Sequence, residues 1–219
     1  MKRQWLAVLL ILLISVGFLY SFSQIFVDNN AITGKTIENS EISEFADFSS
    51  EMIIIPVKVH FIRDDSGYYT SFRSQENVFA LFNEVNRIWS KANIYFSVEE
   101  IAITEVSFNA IPNTINGDSK ELYQHKNFDK EKINVFFVQS LNGINGLALA
   151  DINSILVSDF TTVNDFRATA HELGHLLGLG HVAPENRLLA RGKNGEFFTE
   201  DEIIIARQSA IKFLSNSDK

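Results

Sequence analysis

The chain has no cysteine, which excludes disulfides, a lipid-modified N-terminal Cys, a zinc ribbon and a cysteine nucleophile together. Methionine is almost as scarce, standing only at positions 1 and 52. Positive charge is short too. The net charge is −8, with no basic block beyond Lys2 and Arg3, so nucleic acid is not an expected partner. What is abundant is apolar: 46% hydrophobic content in 219 residues suffices for one domain with a real core, plus a tail.

That tail comes first. Lys2 and Arg3 precede an almost wholly apolar run from Trp5 to Tyr20, with Ser21 and Ser23 as small residues at a cleavage position, the pattern of an export signal. Carried on through Phe22, Ile25 and Phe26, the run nears the roughly 20 residues of a membrane span. Residues 1–26 are therefore a signal peptide or an uncleaved anchor whose cations mark the inside end. Either way the remainder lies outside the cytoplasm, secreted or associated with the membrane through that segment. Residues 27–51 are polar and acidic, the composition of a linker. A short propeptide whose carboxylate, such as Asp47, covers a metal is the alternative.

Residues 52–219 carry folding periodicities. The β-branched run from Ile53 to Ile62 reads as a strand, with Pro56 at an edge or opening position and His60 as a partly buried or surface side chain. Val78, Leu81, Phe82, Val85, Ile88 and Trp89 form one stripe of a long helix capped at Ser74. Ile94, Phe96 and Val98 alternate as a second strand, giving a β-α-β unit. From Thr104 to Lys132 the pattern weakens into a loop region with room for a short helix, and Ile133–Val138 then reads as an interior strand. Ile155-Leu156-Val157 supplies another strand. Thr199-Glu200-Asp201-Glu202 is a capping box opening a C-terminal helix through Ile203, Ile204, Ala206, Ala210, Ile211 and Leu214.

One stretch concentrates the chemistry: His171-Glu172-Leu173-Gly174-His175-Leu176-Leu177-Gly178-Leu179-Gly180-His181. On a helix starting near Val163, histidines four apart project from one face, about 40° apart around the axis, so His171 and His175 can meet one metal ion. Phe166, Ala170, Leu173 and Leu177 form the opposite, apolar stripe. Gly178 can adopt positive φ and stop the helix, letting His181 return as a third ligand. Three imidazoles with a fourth position left for water are the donor set of a catalytic Zn2+. Glu172, beside a ligand but not needed as one, is placed to take a proton from that water as general base.

The spacing H-E-x-x-H-x-x-G-x-x-H is the metzincin signature, and the segment resembles the active-site helix of metzincin zinc endopeptidases, matrixin-like or pappalysin-like. The β-α-β order before it resembles the first half of metzincin catalytic domains. This resemblance implies an α+β, zincin-like domain: a mixed, mostly parallel twisted sheet with an antiparallel edge strand, a long backing helix, the zinc-binding helix and a C-terminal helix. It also implies a protein or peptide substrate. Gly146, Leu147, Ala148, Leu149 and Ala150 resemble the edge strand that borders the cleft, where an extended peptide would add to free backbone groups; a simple buried strand is the equal alternative. Leu189 aligns where metzincins carry a methionine beneath the zinc, an apolar floor that Leu can fill. No Tyr follows His181, and without cysteine the thiolate latency of matrixins is absent. The expectation is an exported zinc endopeptidase, with a catalytically inactive, zinc-stabilised extracellular binding module as the alternative.

Overall fold

The computed structural model describes residues 51–217. The signal or anchor expected at 1–26, and all but Glu51 of the linker expected at 27–51, lie outside them. In chain order the elements are β1 (Ile53–Asp64), α1 (Gln75–Trp89), β2 (Ile94–Val106), α2 (Ala110–Ile115), α3 (Lys120–Tyr123), β3 (Ile133–Val138), β4 (Gly146–Leu149), β5 (Ser154–Ser158), α4 (Asp165–Leu176) and α5 (Glu200–Ser217). Among the described residues no helix is long and apolar enough to cross a membrane.

The strands order as β2-β1-β3-β5-β4. Every pairing is parallel except β4 with β5, so the mixed sheet with its antiparallel edge is present. Pro56, which lacks a donor for the ladder, sits where this is tolerated: β1 pairs with β3 only from Val57 onward, leaving Pro56 paired on the β2 side alone.

Strand alternation divides the interior into two layers. Ile53, Ile55, Val57, Val59 and Phe61 of β1, Ile133, Val135 and Phe137 of β3, and Ile155 and Val157 of β5 face a core shared with α1, α4 and α5. The alternate residues Ile62, Phe136, Val138 and Leu156 face a second core with Ala110, Ile111 and Leu122 from α2 and α3. Burial on both faces explains why β3 and β5 read as continuous apolar runs. The α1 stripe is buried as its period requires, from Val78 to Trp89, each large side chain contributing about 1.5–3 kcal/mol. Ser74 caps α1 reciprocally: its Oγ accepts from the Asn77 N–H and the Asn77 Oδ1 accepts from the Ser74 N–H, both at 3.3 Å.

Three expectations need correction. The region from Thr104 is more ordered than its composition implied, since β2 stays paired with β1 as far as Val106 and two short helices follow. His60 is fully buried, because its place on β1 points it into the second layer, stacked on Phe136 at 4.4 Å. Ile204 of α5 is 48% exposed, whereas Ala206 and Ala210 of the same stripe are buried as expected and Arg207 is buried beside them.

Candidate metal centre

Helix α4 is held at both ends. Its first residue, Asp165, accepts from Arg73 Nη1 at 2.8 Å, and Arg73 Nε donates to Asp159 Oδ1 at 2.9 Å, tying the helix start to the end of β5. At the other end Gly178 has φ +81°. Its N–H donates to the His175 carbonyl and the Leu179 N–H to the Gly174 carbonyl, at 3.1 and 2.9 Å, the paired bonds of a Schellman stop. Ala170, Leu173 and Leu177 pack into the first core, so the histidines are turned away from it.

The stop brings His181 back as its spacing required. The Nε2 atoms of His171, His175 and His181 lie 3.1–3.2 Å from one another. Ligand nitrogens at 2.0–2.1 Å around a tetrahedral zinc are about 3.3–3.4 Å apart, so the triangle fits that ion closely. The far sides of two rings are fixed independently. The Nδ1–H of His171 donates to the Leu188 carbonyl and that of His175 to the Leu179 carbonyl, each at 2.8 Å. In the neutral rings this leaves the Nε2 lone pairs aimed at one another, an arrangement that repels unless a cation occupies the meeting point. Burial, reinforced by the charge of Arg167, holds the His171 pKa down to about 4, and burial likewise lowers that of His181. These rings are thus biased toward the neutral form a metal requires.

Glu172 is buried, with 7% of its surface exposed, and lies against the edge strand: a Cβ added at Gly146 would stand 2.6 Å from its Cγ and 3.1 Å from its Oε1. Glycine at 146 therefore makes room for the carboxyl. Burial pushes the Glu172 pKa up to about 7, with the charge of Arg167 and the Ala148 backbone N–H acting in the opposite direction.

Of the five edge-strand candidates, Gly146, Leu147, Ala148 and Leu149 form β4, with Leu149 buried, whereas Ala150 begins a 3-10 turn and is exposed. Strand β4 ends the sheet order, so one side of its backbone is unpaired within the sheet. Leu189 is fully buried and packs under α4, where a Cβ on Gly174 would come within 3.2 Å of its Cδ2. Sequence reasoning passed over Arg167. It is 2% exposed, and its signal was a charged residue within a buried helical run, one turn before His171.

No protein-family model matches the chain, and no curated protein matches it. Solved structures similar to it include a chaperone–substrate complex, at 13% identity and TM-score 0.49 over 75% of this chain and 35% of that one. An archaemetzincin from Methanopyrus kandleri is 15% identical at TM-score 0.42, over 78% of this chain and 97% of that one. A zinc-dependent peptidase from Methanocorpusculum labreanum strain Z is 15% identical at TM-score 0.41, over 68% and 99%. At these scores the functional reading rests on the site's own geometry.

Proposed function

We propose that the chain is an exported, zinc-dependent endopeptidase of metzincin type. One observation carries the reading: three Nε2 atoms converge within 3.2 Å, with two of the rings locked from behind by backbone carbonyls. Zinc in such a ligand set supplies Lewis acidity toward a carbonyl oxygen and makes water acidic enough to ionise near neutral pH.

The chain's own groups do the rest. Glu172, with a pKa raised by burial to about 7, has the basicity to take a proton from the attacking water near neutral pH and to return it to the leaving amine. The unpaired side of β4, the strand that covers Glu172, offers backbone donors and acceptors to an extended peptide. The Leu188 and Leu179 carbonyls hold two of the three ligand rings in place from behind. A buried carboxyl next to the ligands is costly for a zinc site that is only structural, which favours catalysis over the inactive binding module. Export, with or without retention at the membrane, is supported by the Lys2-Arg3 pair and the apolar run behind it.

Mass-spectrometric profiling of cleavage in a peptide library, with and without chelator, tests this function. Internal peptide-bond cleavage that chelator abolishes and zinc restores is the expected result; no cleavage by zinc-loaded protein, or cleavage indifferent to chelator, would contradict it.

A further inference from the structure

The loop from Val182 to Thr199 carries the floor of the site yet contains no helix or strand of its own. Two isolated bridges, Val182 with Ala190 and Arg187 with Phe197, tie the loop to itself, and a side chain of α4 ties it to the ligand helix. Three of its carbonyls converge on one buried side chain: Arg167 Nη2 donates to the Leu188 carbonyl at 2.5 Å and to the Ala190 carbonyl, and Nε donates to the Gly195 carbonyl at 3.4 Å. The Leu188 carbonyl is the same oxygen that accepts the His171 Nδ1–H. Its two lone pairs are thus shared between the guanidinium and the ligand ring, and Leu189 follows it directly.

A guanidinium buried to this degree with carbonyls for partners is an expensive way to secure a loop. A planar fork, however, can reach several oxygens in fixed directions where an ammonium is a single point. We infer that Arg167 is a positioning residue for the metal site. By pinning the Leu188 carbonyl it fixes the His171 ring in the tautomer and orientation that present Nε2 to the ion, and it seats Leu189 beneath the triad. This rests on the zinc-site reading proposed above, and it assigns to a residue of α4 the support of the loop that carries Leu189.

The test uses the full chain with Arg167→Met and Arg167→Lys, reading two quantities that do not involve peptide hydrolysis. Zinc affinity is measured by chelator competition, and the His171 tautomer by imidazole 15N shifts in the metal-free protein. Arg167→Met should keep its far-UV circular dichroism, lose about 10–100-fold in zinc affinity and show His171 as mixed tautomers. Arg167→Lys should lose less and recover part of the wild-type tautomer preference. A folded Arg167→Met chain with wild-type affinity and a single His171 tautomer would overturn the inference. If Arg167→Met does not fold, Arg167→Lys decides alone: an affinity and 15N pattern identical to wild type would overturn it. Wild-type protein that binds no zinc would instead refute the zinc-site reading, while the metal-free 15N shifts would still decide the role of Arg167.

Discussion

His60 and His171 are both buried, and burial holds both pKa values down to about 4, yet their surroundings differ in one decisive respect. Around His60 every ring nitrogen is answered by a side chain. Asn134 Nδ2 donates to the Asp129 and Lys132 carbonyls, which leaves its Oδ1 to accept from His60 Nε2–H at 3.0 Å. Nδ1 then accepts from the Thr104 hydroxyl at 2.9 Å. Around His171 only Nδ1 is answered, and Nε2 faces two other nitrogens. A buried histidine with both nitrogens paired is part of the core; one whose second nitrogen meets like atoms is part of a ligand set. Depth and pKa do not separate the two, but partner chemistry does.

The comparison can be broken at several points. The largest effect is expected from Glu172→Gln, which should lower the hydrolysis rate by about 10²–10⁴-fold while zinc content by elemental analysis stays at the wild-type level; retained turnover would remove Glu172 from its role. Next, His181→Ala should weaken zinc binding by at least about a hundredfold, since even the partners of ligands contribute 10–100-fold. Unchanged affinity in a chelator competition would mean that His181 is not a ligand. His60→Leu should behave in the opposite way, costing about 1–3 kcal/mol in denaturant unfolding by stranding the buried Thr104 hydroxyl, while Asn134 Oδ1 keeps the Asp129 N–H as a donor, with no change in zinc stoichiometry.

A pH series sharpens the same contrast. The folded pKa of His60 lies below the ordinary value of 6.5, at about 4, so between these limits the unfolded chain binds more protons. The stability due to the neutral ring is therefore complete above pH ~6.5 and is lost as pH falls toward ~4, by about 3 kcal/mol. Urea unfolding of wild type against His60→Leu across that window should show the difference closing as pH falls; a constant difference would place His60 in a less confining environment. The smallest effect belongs to Leu189→Met, which should change stability by under about 1.5 kcal/mol because the site is already filled by a side chain of similar volume. A larger loss would show that the floor is shaped specifically for leucine.

Much of this was legible beforehand because it depends on local periodicity. The α1 stripe, the Ser74 cap, the Thr199/Glu202 box and the glycine stop at 178 are all set by residues within a turn or two of one another. The Thr199 N–H does donate to Glu202 Oε2 at 3.0 Å, and Glu202 N–H to Thr199 Oγ1 at 3.4 Å. The ligand spacing was legible for the same reason, being geometry along one helix. What escaped depends on distant partners. His60 is 74 residues from Asn134, and the carbonyls around Arg167 belong to a loop 21 to 28 residues on; neither contact leaves a periodic trace. Leu189 lies between these cases: the motif's spacing singled it out, but only the fold shows its side chain closing on the space that a Cβ at Gly174 would need.

X-ray absorption at the zinc edge of the loaded protein tests the ligand set most directly. Three imidazole nitrogens at about 2.0–2.1 Å and one further light atom are expected, with the imidazole count falling in His181→Ala and unchanged in His60→Leu. Fewer than three imidazoles in the wild type, or a spectrum altered by His60→Leu, would contradict the division between these histidines.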